Sequence, residues 1–183
     1  MVEWDVRRIG REMHEEDKPA DWAIKQLVLL NPGVHTRSIV KIIDELPHPW
    51  GIFLIERAIR SDVPNHYANH TNYRRRQAAA SSDMIHQDWL FKLAKDGDGM
   101  VRWAVASNPK TAEPTLRMLS KDLSEIVQNA VAVNARTTEP ILSELCMVRS
   151  TVVARHAKIN LLNRRHIASG EIRKVSRNYA LEA

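Results

Sequence analysis

The sequence predicts an all-α fold, a short right-handed stack of helix pairs, on three observations. Only six glycines and three tyrosines occur in 183 residues, and alternating apolar–polar runs are hard to find, which favours helices over strands. Residues 90–115, 116–141 and 142–167 align without a gap at a period of 26. Prolines and capping residues fall at the joints where paired helices need them.

Taken in chain order, residues 1–60 read as irregular repeats. Asn31-Pro32 followed by Ile39 and Ile42 echoes Asn108-Pro109 followed by Leu116 and Leu119, at an offset of 77, so an insertion or deletion intervenes. Residues 61–72 (SDVPNHYANHTN) fit no repeat and read as a connecting loop. Clear repeats run over 73–167, and the stretch 75–96 follows 101–122 with Arg76 over Arg102, Ala78 over Ala104 and Ser82 over Asn108. A basic C-terminal cap occupies 168–183, and the whole of 1–183 reads as a single domain.

Five columns carry the ladder: Leu90, Leu116 and Leu142; Leu93, Leu119 and Leu145; Val101, Val127 and Val153; Val105, Val131 and Ala157; Asn108, Asn134 and Asn160. Within one repeat, Val101, Ala104, Val105 and Asn108 recur three and four apart on one helix face. Pro109 ends that helix, and Thr111 or Ala112 starts the next, with Pro114 tolerated in its first turn. Ser124 and Thr138 are expected N-caps. The Asn column is expected to satisfy exposed backbone groups at the same turn of every repeat. Helices this short cannot bury an apolar side alone, so neighbours must stack into one core.

Residues 101–122 resemble the repeat of the leucine-rich repeat variant family, V-R-x-A-V-A-x-N-P-x-T-x-x-x-L-x-x-L-x-x-D, and 127–148 match it in part. The resemblance covers 75–167 and, loosely, 20–60, and implies a HEAT-like α-solenoid. The family's best-known member holds a cysteine-bound iron–sulfur cluster. With Cys146 alone, this chain does not inherit that cofactor, and no cofactor or metal is expected. His156 and Lys158 depart from the small residues Ala130 and Ala132, so that end of the core is expected to be less regular or to act as a polar cap.

A lone cysteine excludes an internal disulfide and points to a reducing, cytoplasmic setting. No run of 18 apolar residues occurs, so no membrane span is expected, and the charged opening MVEWDVRRIGREMHEED is unlike a signal peptide. Charge is graded along the chain: 9 basic against 10 acidic residues over 1–60, and 10 against 6 over 121–183.

Asp96-Gly97-Asp98-Gly99 lacks the oxygen pattern of a calcium loop and reads as a turn. His66 and His70 have metal-ligand spacing but no third ligand nearby. Nothing resembles a nucleophile elbow or a phosphate loop, so no enzyme and no small-molecule substrate are expected. Trp4, Trp22, Trp50 and Trp89 read as core anchors. Trp103 shares a column with Gln77, Asn129 and Arg155 and is expected to face outward, beside a second polar column of Arg76, Arg102, Gln128 and Ala154.

The leading expectation is therefore a non-catalytic scaffold binding a protein partner through Arg76, Arg102, Trp103 and Arg155, since exposed Trp and Arg make binding hot spots. The alternative is sequence-independent binding of nucleic-acid backbone through Arg74, Arg75, Arg149, Lys158, Arg164, Arg165, Arg173, Lys174 and Arg177.

Overall fold

The computed structural model describes residues 33–46, 50–58 and 60–168. Among them lie ten helices and no strand: α1 Thr36–Glu45, α2 Trp50–Glu56, α3 Asp62–Tyr67, α4 Tyr73–Ser81, α5 Gln87–Leu93, α6 Gly99–Ser107, α7 Glu113–Leu119, α8 Glu125–Val133, α9 Glu139–Leu145 and α10 Thr151–Ala168. Trp4, Trp22, Arg173, Lys174 and Arg177 fall outside the described residues. The chain divides into two compact units, Met1–His86 and Gln87–Ala183.

In the first unit, α1 to α4 pack on one another. Ile39 and Ile43 are the buried pair of α1, four apart. Ile42, which the sequence pattern had placed on the inner face, is only half-buried. A Cβ on the buried Gly51 would stand 3.0 Å from the Ile43 carbonyl, so α2 needs a glycine where it passes α1. The stretch expected as a loop, 61–72, contains α3. Asp62 lies in its first turn, Pro64 is tolerated there, and Val63, Pro64 and Tyr67 are buried. The start of α3 lies within one residue of 61, which is 26 before the start of α5, so the helix keeps the spacing although Pro64 and Tyr67 stand where the later repeats have their two leucines.

In the second unit the helix boundaries repeat with the sequence. Helices begin at 99, 125 and 151, each preceded by a partner helix that begins at 87, 113 and 139. Helix α8 packs between α6 and α10, and α10 also packs on α9. All three members of both Leu columns and of both Val columns are buried, none more than 3% exposed. Val101, Val127 and Val153 thus belong to one core, where truncating any such residue costs roughly 1–4 kcal/mol.

The Asn column does more than was expected of it. Asn108 Oδ1 accepts from the Lys110 N–H (2.8 Å) and Asn134 Oδ1 from the Arg136 N–H (2.8 Å), closing each turn locally. The amide also reaches back one repeat. Asn134 Nδ2 donates to the carbonyls of Ala106 (2.7 Å) and Asn108 (3.0 Å), and Asn160 Nδ2 to those of Ala132 (2.9 Å) and Asn134 (3.3 Å). The buried Thr111 and Thr137 hydroxyls donate to Val105 and Val131 carbonyls, both at 2.6 Å. Backbone groups freed at each helix end are thereby paired inside the core.

Ser124 and Thr138 do occupy N-cap positions, but neither hydroxyl caps its helix. Asp122 Oδ1 takes the Ser124 N–H (2.9 Å), and Thr138 Oγ1 donates to Glu113 Oε1 (3.2 Å). The Asp96–Gly99 stretch is the turn that was expected: Asp96 Oδ1 accepts the Asp98 N–H, and Asp98 caps α6 through the Met100 N–H.

Helix α10 breaks the repeat. Its 18 residues run past Asn160, where α6 and α8 stop at the equivalent Asn. Leu161 and Leu162 are good helix formers, and Asn163 replaces the buried Thr of the turn. Because the Leu162 N–H stays in the helix, Asn160 Oδ1 accepts instead from Arg164 Nε (3.1 Å).

Candidate functional site

In α6, α8 and α10 the buried valines, alanines and asparagines face the core, leaving the opposite side to water. The residue before each first Val is apolar and exposed: Met100 at 44%, Ile126 at 61% and Val152 at 47%. These three are 26 apart and lie on helices packed side by side. One turn further along the same face come Trp103, half-buried, then Asn129, half-buried, then Arg155, exposed. Val133 adds a further exposed apolar side chain at 56%. Neighbouring helices pack roughly 8–10 Å apart, so the Met100–Ile126–Val152 column runs roughly 18 Å. His156 Nδ1 and Asn129 Oδ1 lie 2.6 Å apart, tying α10 to α8 beside it.

Arg155 is exposed on this strip, whereas Trp103, expected to face outward, is half-buried. The sequence reading missed Met100, Ile126, Val152 and Val133. Met100, Ile126 and Val152 carry a signal, an apolar residue one position before Val101, Val127 and Val153, whereas Val133 lies outside that register.

The neighbouring column is polar for a structural reason. Arg76 Nη1 donates to the carbonyls of His70 (2.8 Å) and Thr71 (2.9 Å). Arg102 Nη1 donates to those of Asp96 (2.8 Å) and Gly97 (3.3 Å), and Gln128 Nε2 to that of Asp122 (2.8 Å). In each case a long side chain bends back over its own helix N-terminus to the carbonyl six residues earlier. Arg102 also grips Asp122 with two nitrogens, Nε at 2.7 Å and Nη2 at 3.1 Å. Burial pushes the Asp122 carboxyl up, but the Arg102 bonds and charge, with the Ser124 N–H, outweigh it and hold it below the usual range. Arg102 and Arg76 are half-buried and anchored in their own turns.

The remaining cations divide into paired and unpaired. Arg75 pairs with Asp44 and lies 5.3 Å from the centre of the Tyr67 ring. Arg74, exposed, lies over its neighbour Tyr73 and donates to the phenol oxygen at 3.2 Å. Arg164 is half-buried, bonded to Asn160 and to the Ala135 carbonyl. Arg149, Arg155, Lys158 and Arg165 are exposed and form no ion pair among the described residues. Lys158 stands where α6 and α8 bury Ala106 and Ala132, so this flank of α10 is open and charged.

Chemistry elsewhere is sparse. His70 Nδ1 accepts the Asn72 N–H (3.0 Å), and His70 is held below its ordinary pKa by burial, with His66 and Arg76 adding to it. No group of three or more His, Cys, Asp or Glu suited to a metal ion occurs among the described residues. Burial raises the Glu56 carboxyl to about 6 against the pull of Arg57, and pushes the Tyr67 phenol upward. The Tyr67 hydroxyl bonds the Val40 carbonyl (3.2 Å) and Asp44 (3.0 Å). No described helix is long and apolar enough to cross a membrane.

Comparison with protein-family models, with curated proteins and with solved structures gives no match.

Proposed function

We propose that this chain is a non-catalytic binding scaffold whose second unit holds a protein partner against the outer face of α6, α8 and α10. The exposed column Met100, Ile126 and Val152, flanked by Trp103, carries this reading. Three large apolar side chains aligned at one register mark an association surface, where isolated ones would not. We further propose that the helix pairs of this unit form a right-handed α-solenoid of the HEAT-like, leucine-rich repeat variant kind. Support comes from the 26-residue recurrence of helix boundaries and of the Asn bonds. A cytoplasmic location fits the lone, reduced Cys146.

Site-specific photocrosslinking tests the binding reading. A photoreactive amino acid replaces Trp103 or Ile126, with exposed Ser143 on α9 as the control position, in cells producing the full chain. A protein adduct formed at 103 and 126 but not at 143 is expected. Equal labelling at all three positions, or none, refutes the proposal.

The four unpaired cations favour one second reading, grip on a nucleic-acid backbone. Such binding to a labelled duplex would weaken with salt at a log–log slope of roughly −0.9 per phosphate neutralised. Absence of binding at about 50 mM salt would eliminate it.

A further inference from the structure

We infer that the partner is an acidic peptide segment that also bears apolar side chains, bound with its anchors along the Met100–Ile126–Val152 column and its carboxylates at the α10 end. This deepens the scaffold reading and rests on it. Arg75, Arg102 and Arg117 each have a carboxylate partner within the chain. Arg149, Arg155, Lys158 and Arg165 have none among the described residues, and all four belong to α10 or the turn before it.

Their placement relative to the apolar column fixes the chemistry. Val152 and Arg155 are one turn apart on the same face of α10. At 100° per residue, Arg155, Lys158 and Arg165 fall within roughly 80° of one another, on the side away from the buried Val153 and Ala157. The cations therefore border one end of the column, while at its other end, beside Met100 and Trp103, Arg102 is committed to Asp122. Of the nearby acids, Glu125 accepts the Ser150 hydroxyl (3.1 Å) and Asp98 caps α6. An acidic apolar segment satisfies both halves of such a surface. A phosphate backbone would leave Met100, Ile126 and Val152 against charge, and a purely apolar ligand would leave four cations unmet. The column's roughly 18 Å is spanned by about six extended residues or a dozen helical ones, so a short segment suffices.

The test uses the full chain and a fluorescein-labelled synthetic 16-residue peptide with leucines through its first half and glutamates through its second. Companion peptides replace every Glu with Gln, every Glu with Lys, or every Leu with Ser. The acidic leucine peptide is expected to bind at least about tenfold more tightly than each companion. Ile126→Asp and, separately, Val152→Asp are expected to weaken it by a similar factor. Both positions are exposed, and unchanged circular dichroism and melting show that the variants fold. The double variant Arg155→Glu/Lys158→Glu should lose the Glu peptide and gain the Lys one.

Equal binding of the Lys peptide, or of the leucine-free peptide, overturns the inference. So does a labelled DNA duplex that binds more tightly than the acidic peptide and is indifferent to Ile126→Asp. A dimer in sedimentation that Ile126→Asp dissolves also overturns it, by assigning the face to a second copy. If photocrosslinking at 103 and 126 still yields a specific protein adduct, only the partner's chemistry is wrong. Without that adduct the scaffold reading itself falls.

Discussion

The two units tie elements of similar sequence separation together with different chemistry. In the first, Arg60 Nη1 donates to the Val34 carbonyl (2.6 Å) while the same guanidinium holds Asp62, which also accepts from Thr36. Tyr67 bridges the Val40 carbonyl to Asp44, and Asp44 holds Arg75. The residues joined from Thr36 to Asp62, Val34 to Arg60 and Val40 to Tyr67 are 26 or 27 apart. In the second unit the tie that recurs over this distance is a neutral amide, Asn134 to Asn108 and Asn160 to Asn134, beside one exposed ion pair, Arg117 to Glu144. Charged ties in the first unit are particular to one place and depend on pH. Amide ties in the second recur and do not titrate.

The largest test of that difference is Asn134→Ala. It leaves the Ala106 carbonyl and the Arg136 N–H without their partner and removes one of the two bonds to the Asn108 carbonyl, and should destabilise the second unit by about 3 kcal/mol in urea denaturation. A loss below about 1 kcal/mol would mean that the amide ladder contributes little beyond the Leu and Val core.

Arg102→Met should cost about 2 kcal/mol, since the mostly buried Asp122 carboxylate loses both guanidinium bonds. The sign with pH follows. Asp122 is held below its usual value of 3.8, so its pairing stabilises the fold above that pH and is lost as pH falls through the lowered folded value. In the variant, burial is opposed only by the Ser124 N–H and shifts the carboxyl back towards the protonated acid. The gap in melting temperature between variant and parent should therefore narrow from pH 7 to pH 4. A gap that widens would contradict this account.

In the first unit, Tyr67→Phe removes bonds to the Val40 carbonyl and Asp44 and should cost about 1.5 kcal/mol. The smallest effect is a gain. Glu56 has a folded pKa raised from 4.5 to about 6, so its contribution is fully present below 4.5 and declines as pH rises through about 6. Glu56→Gln should abolish that decline and leave the protein about 1 kcal/mol more stable than the parent at pH 7.5, about half the full conversion of the shift because Glu56 retains some water. Parallel stability curves for the two proteins from pH 4.5 to 7 would refute it.

The same contrast explains what the sequence disclosed. Leu90, Leu116 and Leu142, or Val101, Val127 and Val153, are legible because close packing demands the same volume at the same place in every repeat. Asn108, Asn134 and Asn160 are legible because a freed carbonyl recurs there. The bonds from Arg60 and Tyr67 leave no such trace, because each solves a local problem once. Part of the candidate surface was visible in Trp103 and Arg155. Met100, Ile126 and Val152 were not recognised because an apolar residue beside a buried Val reads as more core until the helix angle is followed round. Arg76, Arg102 and Arg164 looked available as charges, yet their long stems let the guanidinium fold back onto nearby backbone.

The unbroken course of α10 has a consequence for growth of the array. Each Asn of the ladder depends on two carbonyls that the preceding helix gives up by ending: Ala106 and Asn108 for one, Ala132 and Asn134 for the next. The corresponding carbonyls in α10 belong to Lys158 and Asn160, inside a continuing helix where Leu162 and Arg164 amides already claim them. A further helix carrying the same Asn would meet a continuing helix there and not the opened turn that α6 and α8 present. The helix that fails to stop is the one that stops the repetition.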